Sequence, residues 1–277
     1  MKKSLEQKKD STTKLIINAD DFGWTDGHNL AVEQAHVKGI LTRASLMCTG
    51  TGFREAVEMA RRLPELGVGV HLTLNEGLPL LPPQQLPNLT RPDGHFHDSL
   101  RALIERNVQG YLQTDEALAE WRAQIECALS AGITITHLDA HKHVHMLPPL
   151  RSAMIVLAQE YQIEYVRLPL EKFSLSAVQR GPGWAGLWLL AWIARRHFVE
   201  AGLQFADTFV GVAVSGAMTQ TRLQKAIASA QGVTEIMVHP AVITPAVAQL
   251  QHQYRWAAQY RFEEELNALI HAGSVKV

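Results

Sequence analysis

The sequence predicts one α/β domain of (β/α) barrel-like form, distorted or seven-stranded. Three observations carry that expectation. Short β-rich apolar runs alternate with segments of helical period. Carboxylates and imidazoles fall at the C-terminal ends of those runs, where parallel barrels place reacting groups. The chain has 277 residues, 47% of them hydrophobic, enough for one large core.

In chain order, the candidate strands are residues 14–19 (KLIINA), 41–47 (LTRASLM), 67–74 (GVGVHLTL), 133–139 (ITITHLD), 164–168 (EYVRL), 208–214 (TFVGVAV) and 235–240 (EIMVHP). Helical stretches between them include 28–39, 53–63 and 115–132, the last ending on a glycine stop signal. Strands alternating with helices imply parallel pairing through right-handed crossovers. Residues 1–13 are expected to be a disordered tail, and 14–277 a single barrel-like domain. Residues 78–98 hold five prolines and no clear period, which reads as a long irregular loop.

Composition excludes some partners. With 26 basic and 27 acidic residues, the net charge of -1 gives no field for nucleic acid. Cys48 and Cys127 match no zinc or redox spacing and read as plain thiols in a reducing compartment. The basic N-terminus lacks an apolar stretch long enough for a signal peptide, so a cytoplasmic protein is expected. The segment 182–196 is unusual. Trp184, Trp188 and Trp192 repeat at helical spacing, and no charge lies between Trp184 and Ala194. It is too short to span a bilayer. Two readings stand: a core helix, or peripheral contact with a membrane or lipid substrate, with Arg195 and Arg196 at the interface.

The densest chemical signal is THLDAHKHVHM, residues 136–146. His137, Asp139, His141, His143 and His145 occupy alternate positions, which share one face of an extended strand. Burying such a face in an apolar core would leave polar groups unsatisfied at about 1–3 kcal/mol each. The strand is therefore expected to end near Asp139, with the later histidines splayed around a pocket. Pro148 and Pro149 then open the next helix. Asp20 and Asp21 end the first strand, His71 the third, Arg167 the fifth and His239 the last. Asp21, His71 and His141 form a candidate set for one divalent metal ion, Mg or Zn in the simplest cases. Asp20 is then the candidate general base. His239 is the candidate proton donor, with His145 its rival, and Arg167 a candidate substrate contact. The plainer reading of either aspartate is a helix cap, a role that Thr25 or Asp26 can take instead.

The motifs LIINADDFG, GVGVHLTL, THLDAHKHVHM, VRLP and EIMVHP, in this order, resemble the YdjC-like family of metal-dependent carbohydrate deacetylases. Within it, ILTRASLM, GLPLLPP and GVTEIMVHP are most similar to the hopanoid-associated HpnK branch. The family resemblance implies a barrel-like fold and removal of an acetyl group from an N-acetylated sugar. It also implies a metal on Asp21, His71 and His141, with Asp20 as base. The branch resemblance implies a hopanoid glycolipid substrate. Lys142 departs from the family pattern, which often has a histidine there. A barrel sugar isomerase, a phosphoesterase and a non-catalytic glycolipid-binding protein are the alternatives.

Overall fold

The computed structural model describes residues 13–173 and 181–273. Positions 1–12 of the expected tail lie outside the described residues.

Six parallel strands form one sheet: β1 (Lys14–Phe22), β2 (Arg43–Leu46), β3 (Gly67–Leu72), β4 (Ile135–Ala140), β5 (Thr208–Val210) and β6 (Val233–Val238). Their order is β4-β3-β2-β1-β6-β5, a curled half-barrel. Nine α-helices are described, seven of them between strands and the last two after β6. These are α1 (Asp26–Lys38), α2 (Phe53–Arg62), α3 (Leu100–Val108), α4 (Thr114–Ser130), α5 (Pro148–Glu160), α6 (Pro182–Glu200), α7 (Gln220–Ala228), α8 (Pro245–Gln253) and α9 (Phe262–Ile270).

The fifth expected strand, 164–168, is the main difference. It makes only isolated bridges, Leu138 with Val166 and Tyr165 with Gln204. Farther along, Glu171 bridges Phe209 of β5. One irregular segment thus touches both edge strands and spans the gap between them. Pro169 removes a backbone donor from this segment, which works against a regular ladder.

β1 sits at the centre because its run LIINADDF is buried on both faces. Leu15, Ile17 and Ala19 point to the main apolar core, and Asn18 and Asp20 to the opposite, interior face. The proline-rich loop 78–98 contains one 3₁₀ turn at Pro83–Gln85 and is anchored by Leu86, Leu89 and Phe96, all fully buried.

Interior space is set by a glycine. A Cβ at Gly69 would lie 2.5 Å from the His137 ring, so β3 must carry glycine there for β4 to bring its histidine inward. Thr25 caps α1, accepting from the backbone N–H of His28, which leaves both aspartates free of that role.

Candidate active site

Asp20 and Asp21 are adjacent, and adjacent strand residues normally face opposite sides. Here β1 bulges between Ala19 and Phe22, and Asp21 takes φ 65°. The bulge turns the second carboxylate toward the same cavity as the first.

β3 and β4 supply the imidazoles. His71 lies in register with Asp139, and its Nδ1–H donates to Asp139 Oδ1 at 2.8 Å. β4 ends at Ala140, and His141–Met146 form a 3₁₀ turn in which Lys142 and His143 have positive φ. The expected break in the strand is present, and His141 swings back over β3. Its Nε2 lies 3.0 Å from Glu76 Oε2, and its Nδ1 faces inward.

The result is a convergence of three acceptors. Asp21 Oδ1 lies 3.2 Å from His141 Nδ1 and 3.5 Å from a nitrogen of His71. His71 Nε2 and His141 Nδ1 are 3.3 Å apart. When Asp139 and Glu76 hold the outer N–H protons, both inner nitrogens present lone pairs toward a carboxylate. Both Asp21 oxygens are buried with no hydrogen-bond donor. Three such atoms this close could hold a metal ion between them.

The carboxylates here draw positive charge onto the two rings. Burial opposes charge on His71, but Asp139 and Asp21 outweigh it and raise its pKa to about 10. Burial likewise disfavours His141 as a cation, yet Asp21 and Glu76 pull its pKa upward. Burial works against Asp21 ionising, but the two histidines hold its carboxyl well below the usual range. One carboxylate and two imidazoles fit a divalent ion such as zinc.

Around this centre lies a buried ionic network. Arg167 is 0% exposed. Its guanidinium makes two 2.7 Å bonds to Asp20, one of 2.6 Å to Glu235 and a 2.6 Å pair with Asp139. Ser45 donates to Asp139 Oδ2 at 2.8 Å, and Asn18 reaches both Asp20 and Ser45. Arg167, the expected substrate contact, has its guanidinium engaged by these three carboxylates and buried, and it holds Asp20 in place.

A cavity of about 90 Å³ opens onto this centre. Asp20, Asp21, His71, His141 and His239 all line it, together with Lys142, His143, Val212, Ser215, Met237, Trp256 and Tyr260. His239 Nε2 is 3.9 Å from Asp20 Oδ2. Its backbone N–H donates to Glu265 of α9 at 2.5 Å, which fixes the strand end. His145 is placed differently. It is fully buried, its Nε2 donates to the carbonyl of Arg167, and it is not among the lining residues.

Sequence reasoning missed Glu76, Trp256, Tyr260 and Ser215. Tyr260 packs edge-on against both His239 and Trp256, and its hydroxyl pairs with Ser215 at 2.6 Å. These residues sit in loops without period, where a single sequence offers no signal for proximity.

A family model described as YdjC-like protein matches residues 14–274. The chain belongs to the YdjC-like family. It is 41% identical over 156 residues to a carbohydrate deacetylase of Brevibacillus brevis, a match covering 56% of this chain and 59% of that protein. A longer match, 31% over 231 residues, is to a carbohydrate deacetylase of Thermoanaerobacter pseudethanolicus and covers 83% and 81%. A crystal structure from Enterococcus faecalis V583, described as a candidate cellobiose-phosphate cleavage protein, superposes with TM-score 0.73 at 26% identity. That match covers 94% of this chain and 91% of the other. The YdjC-like family assignment spans every residue of the cavity described above.

Proposed function

We propose that this protein hydrolyses the acetamide of an N-acetylated sugar, with one divalent cation held by Asp21, His71 and His141. The observation that carries the reading is the convergence of those three acceptors in a buried cavity also lined by Asp20 and His239. Relatives named as carbohydrate deacetylases support it.

When bound, the cation supplies Lewis-acid polarisation of the acyl carbonyl and acidifies an attacking water. Asp20, oriented by Arg167, takes the proton of that water. His239 delivers a proton to the departing nitrogen, which leaves as an amine rather than an amide anion. Tyr260 and Ser215 present hydroxyls at the same cavity, where a donor stabilises charge on the carbonyl oxygen. The donor set, two nitrogens and one oxygen, suits zinc better than magnesium, which favours all-oxygen surroundings.

A finer reading concerns a lipid carrier on the sugar, a hopanoid glycolipid in the branch resembled. Helix α6 splits its tryptophans. Trp184 is buried and donates to Glu171, whereas Trp192 is 57% exposed beside exposed Leu189, Ile193 and Val199. With Arg195 and Arg196 also exposed, this face supports peripheral contact with an anionic membrane. No described helix is long and apolar enough to cross a membrane.

The test is acetate release from an N-acetylglucosamine-containing oligosaccharide, with and without a chelator. Release that stops on chelation and returns with metal is expected. Release that persists in the chelated, metal-free protein removes the cation from the chemistry. Isomerisation or phosphate release without acetate would transfer the site to another reaction class.

A further inference from the structure

We propose that Glu76 is a positioning residue for the cation site: it holds the outer proton of His141 and so presents Nδ1 inward. The inference rests on the metal-centre reading above and deepens it.

Glu76 lies in the loop after β3, is 3% exposed, and is not among the residues lining the cavity. It cannot reach substrate without rearrangement, yet its carboxylate is fully engaged. Oε2 faces His141 Nε2 at 3.0 Å. Oε1 accepts from Trp256 Nε1 at 3.0 Å and from Lys142 Nζ. Three loops, following β3, β4 and α8, are thereby joined at one side chain.

The backbone at this position is unusual. Glu76 takes φ 65°, a left-handed conformation that glycine adopts freely and glutamate does not. The next residue, Gly77, is also left-handed at φ 77°. A glutamate at a strained, buried turn, with its carboxylate aimed at an imidazole, matches what outer carboxylates do for ligating histidines. They fix the tautomer and the ring plane.

His71 and His141 are then paired devices. Asp139 holds Nδ1–H of one ring, leaving Nε2 inward, and Glu76 holds Nε2–H of the other, leaving Nδ1 inward. The opposite choice of nitrogen follows from geometry, since one ring comes from a strand and the other from a turn. Lys142 adds a further role. Its ammonium pairs with Glu76 and sits 5.0 Å from the centre of the Trp256 ring. It balances the carboxylate so that the outer arm of His141 stays in place.

The experiment titrates Zn²⁺ into the metal-free full-length protein by calorimetry. Absorption spectra of the Co²⁺-loaded forms are recorded in parallel. Wild type should bind one Zn²⁺, and Glu76→Ala should bind it about 10–100-fold more weakly. Glu76→Gln, which keeps one acceptor oxygen, should fall between them. The Co²⁺ bands of Glu76→Ala should shift, because the ring plane of one ligand is released. Wild type that binds no Zn²⁺ overturns the metal centre and this inference together. Wild type that binds, with Glu76→Ala within threefold of it and an unchanged Co²⁺ spectrum, overturns only the role of Glu76. If Glu76→Ala does not fold, imidazole ¹⁵N and N–H resonances of zinc-loaded wild type decide. His141 with its proton on Nε2 supports the assignment, and a proton on Nδ1 overturns it.

Discussion

Asp20 and Arg167 are joined by two parallel hydrogen bonds, each 2.7 Å long, with both groups buried. The same guanidinium also meets Asp139 and Glu235. Removing it leaves three buried carboxylates without their shared cation. Arg167→Met should therefore cost about 3–5 kcal/mol. Arg167→Lys should not rescue it, because one ammonium cannot reproduce a bidentate bond to Asp20 together with one to Glu235. Thermal unfolding measures this, and a melting temperature unchanged in both variants would refute it.

Asp21→Ala, His71→Ala and His141→Ala should each lose bound metal and activity while the fold survives. Elemental analysis of the purified variants checks this, alongside circular dichroism. Full occupancy in any one of them takes that residue out of the ligand set.

Asp20→Asn should keep its metal but lose about 10²–10⁴-fold in turnover, the usual contribution of a positioned base. Near-normal turnover would leave Asp20 as an anchor for Arg167 alone.

Much of this centre is legible in the sequence, for a physical reason. In a parallel sheet the strand ends share one rim, so Asp20, Asp21, His71, Asp139 and His239 can be grouped before their distances are known. The strand break after Asp139 is also readable, because five polar residues on one buried face would be unsatisfiable. The surroundings of Arg167 are not legible, because strand-end position says nothing about neighbours. Its partners come from β1, β4 and β6, far away in sequence. Glu76 was invisible because Asn75-Glu76-Gly77 reads as an ordinary turn. The short β5 and the bridging segment 164–171 show a further limit: β-rich composition alone does not guarantee a ladder.

Stability should fall on acidification. Burial pushes His137 down to about 3, and His28 and His145 each to about 4. Each stays neutral in the fold but takes a proton near 6.5 once unfolded. The unfolded chain therefore binds more protons between about pH 6.5 and 4, so the folded state loses ground as pH falls through that window. The contribution is fully present above 6.5. Urea unfolding at pH 7 and pH 5 should differ by roughly 1–2 kcal/mol for each such histidine. Equal stability at the two pH values would contradict this.

The tryptophans of α6 should separate by role. Trp184→Ser breaks a buried contact and the bond to Glu171, so it should lower the melting temperature. Trp192→Ser should leave stability unchanged and reduce turnover on a vesicle-borne glycolipid more than on a water-soluble sugar. Equal losses on both substrates would remove lipid contact as the role of that face.

The clasp between Glu265 and the backbone N–H groups of Met218 and His239 has a consequence for biosynthesis. The groups that build the centre run from Asn18 on β1 to Glu265 on α9. No nascent segment holds a working subset. At about 5–20 residues per second, β1 waits on the order of 10–50 s on the ribosome before its last partner emerges. Through that interval Asp20 and Asp21 have neither Arg167's full network nor a seated His239. The candidate cation ligands Asp21, His71 and His141 emerge well before that, whereas a seated His239 and the full network around Asp20 come only with β6 and α9. Assembly of the proton-handling groups is then a later event than emergence of the candidate ligands.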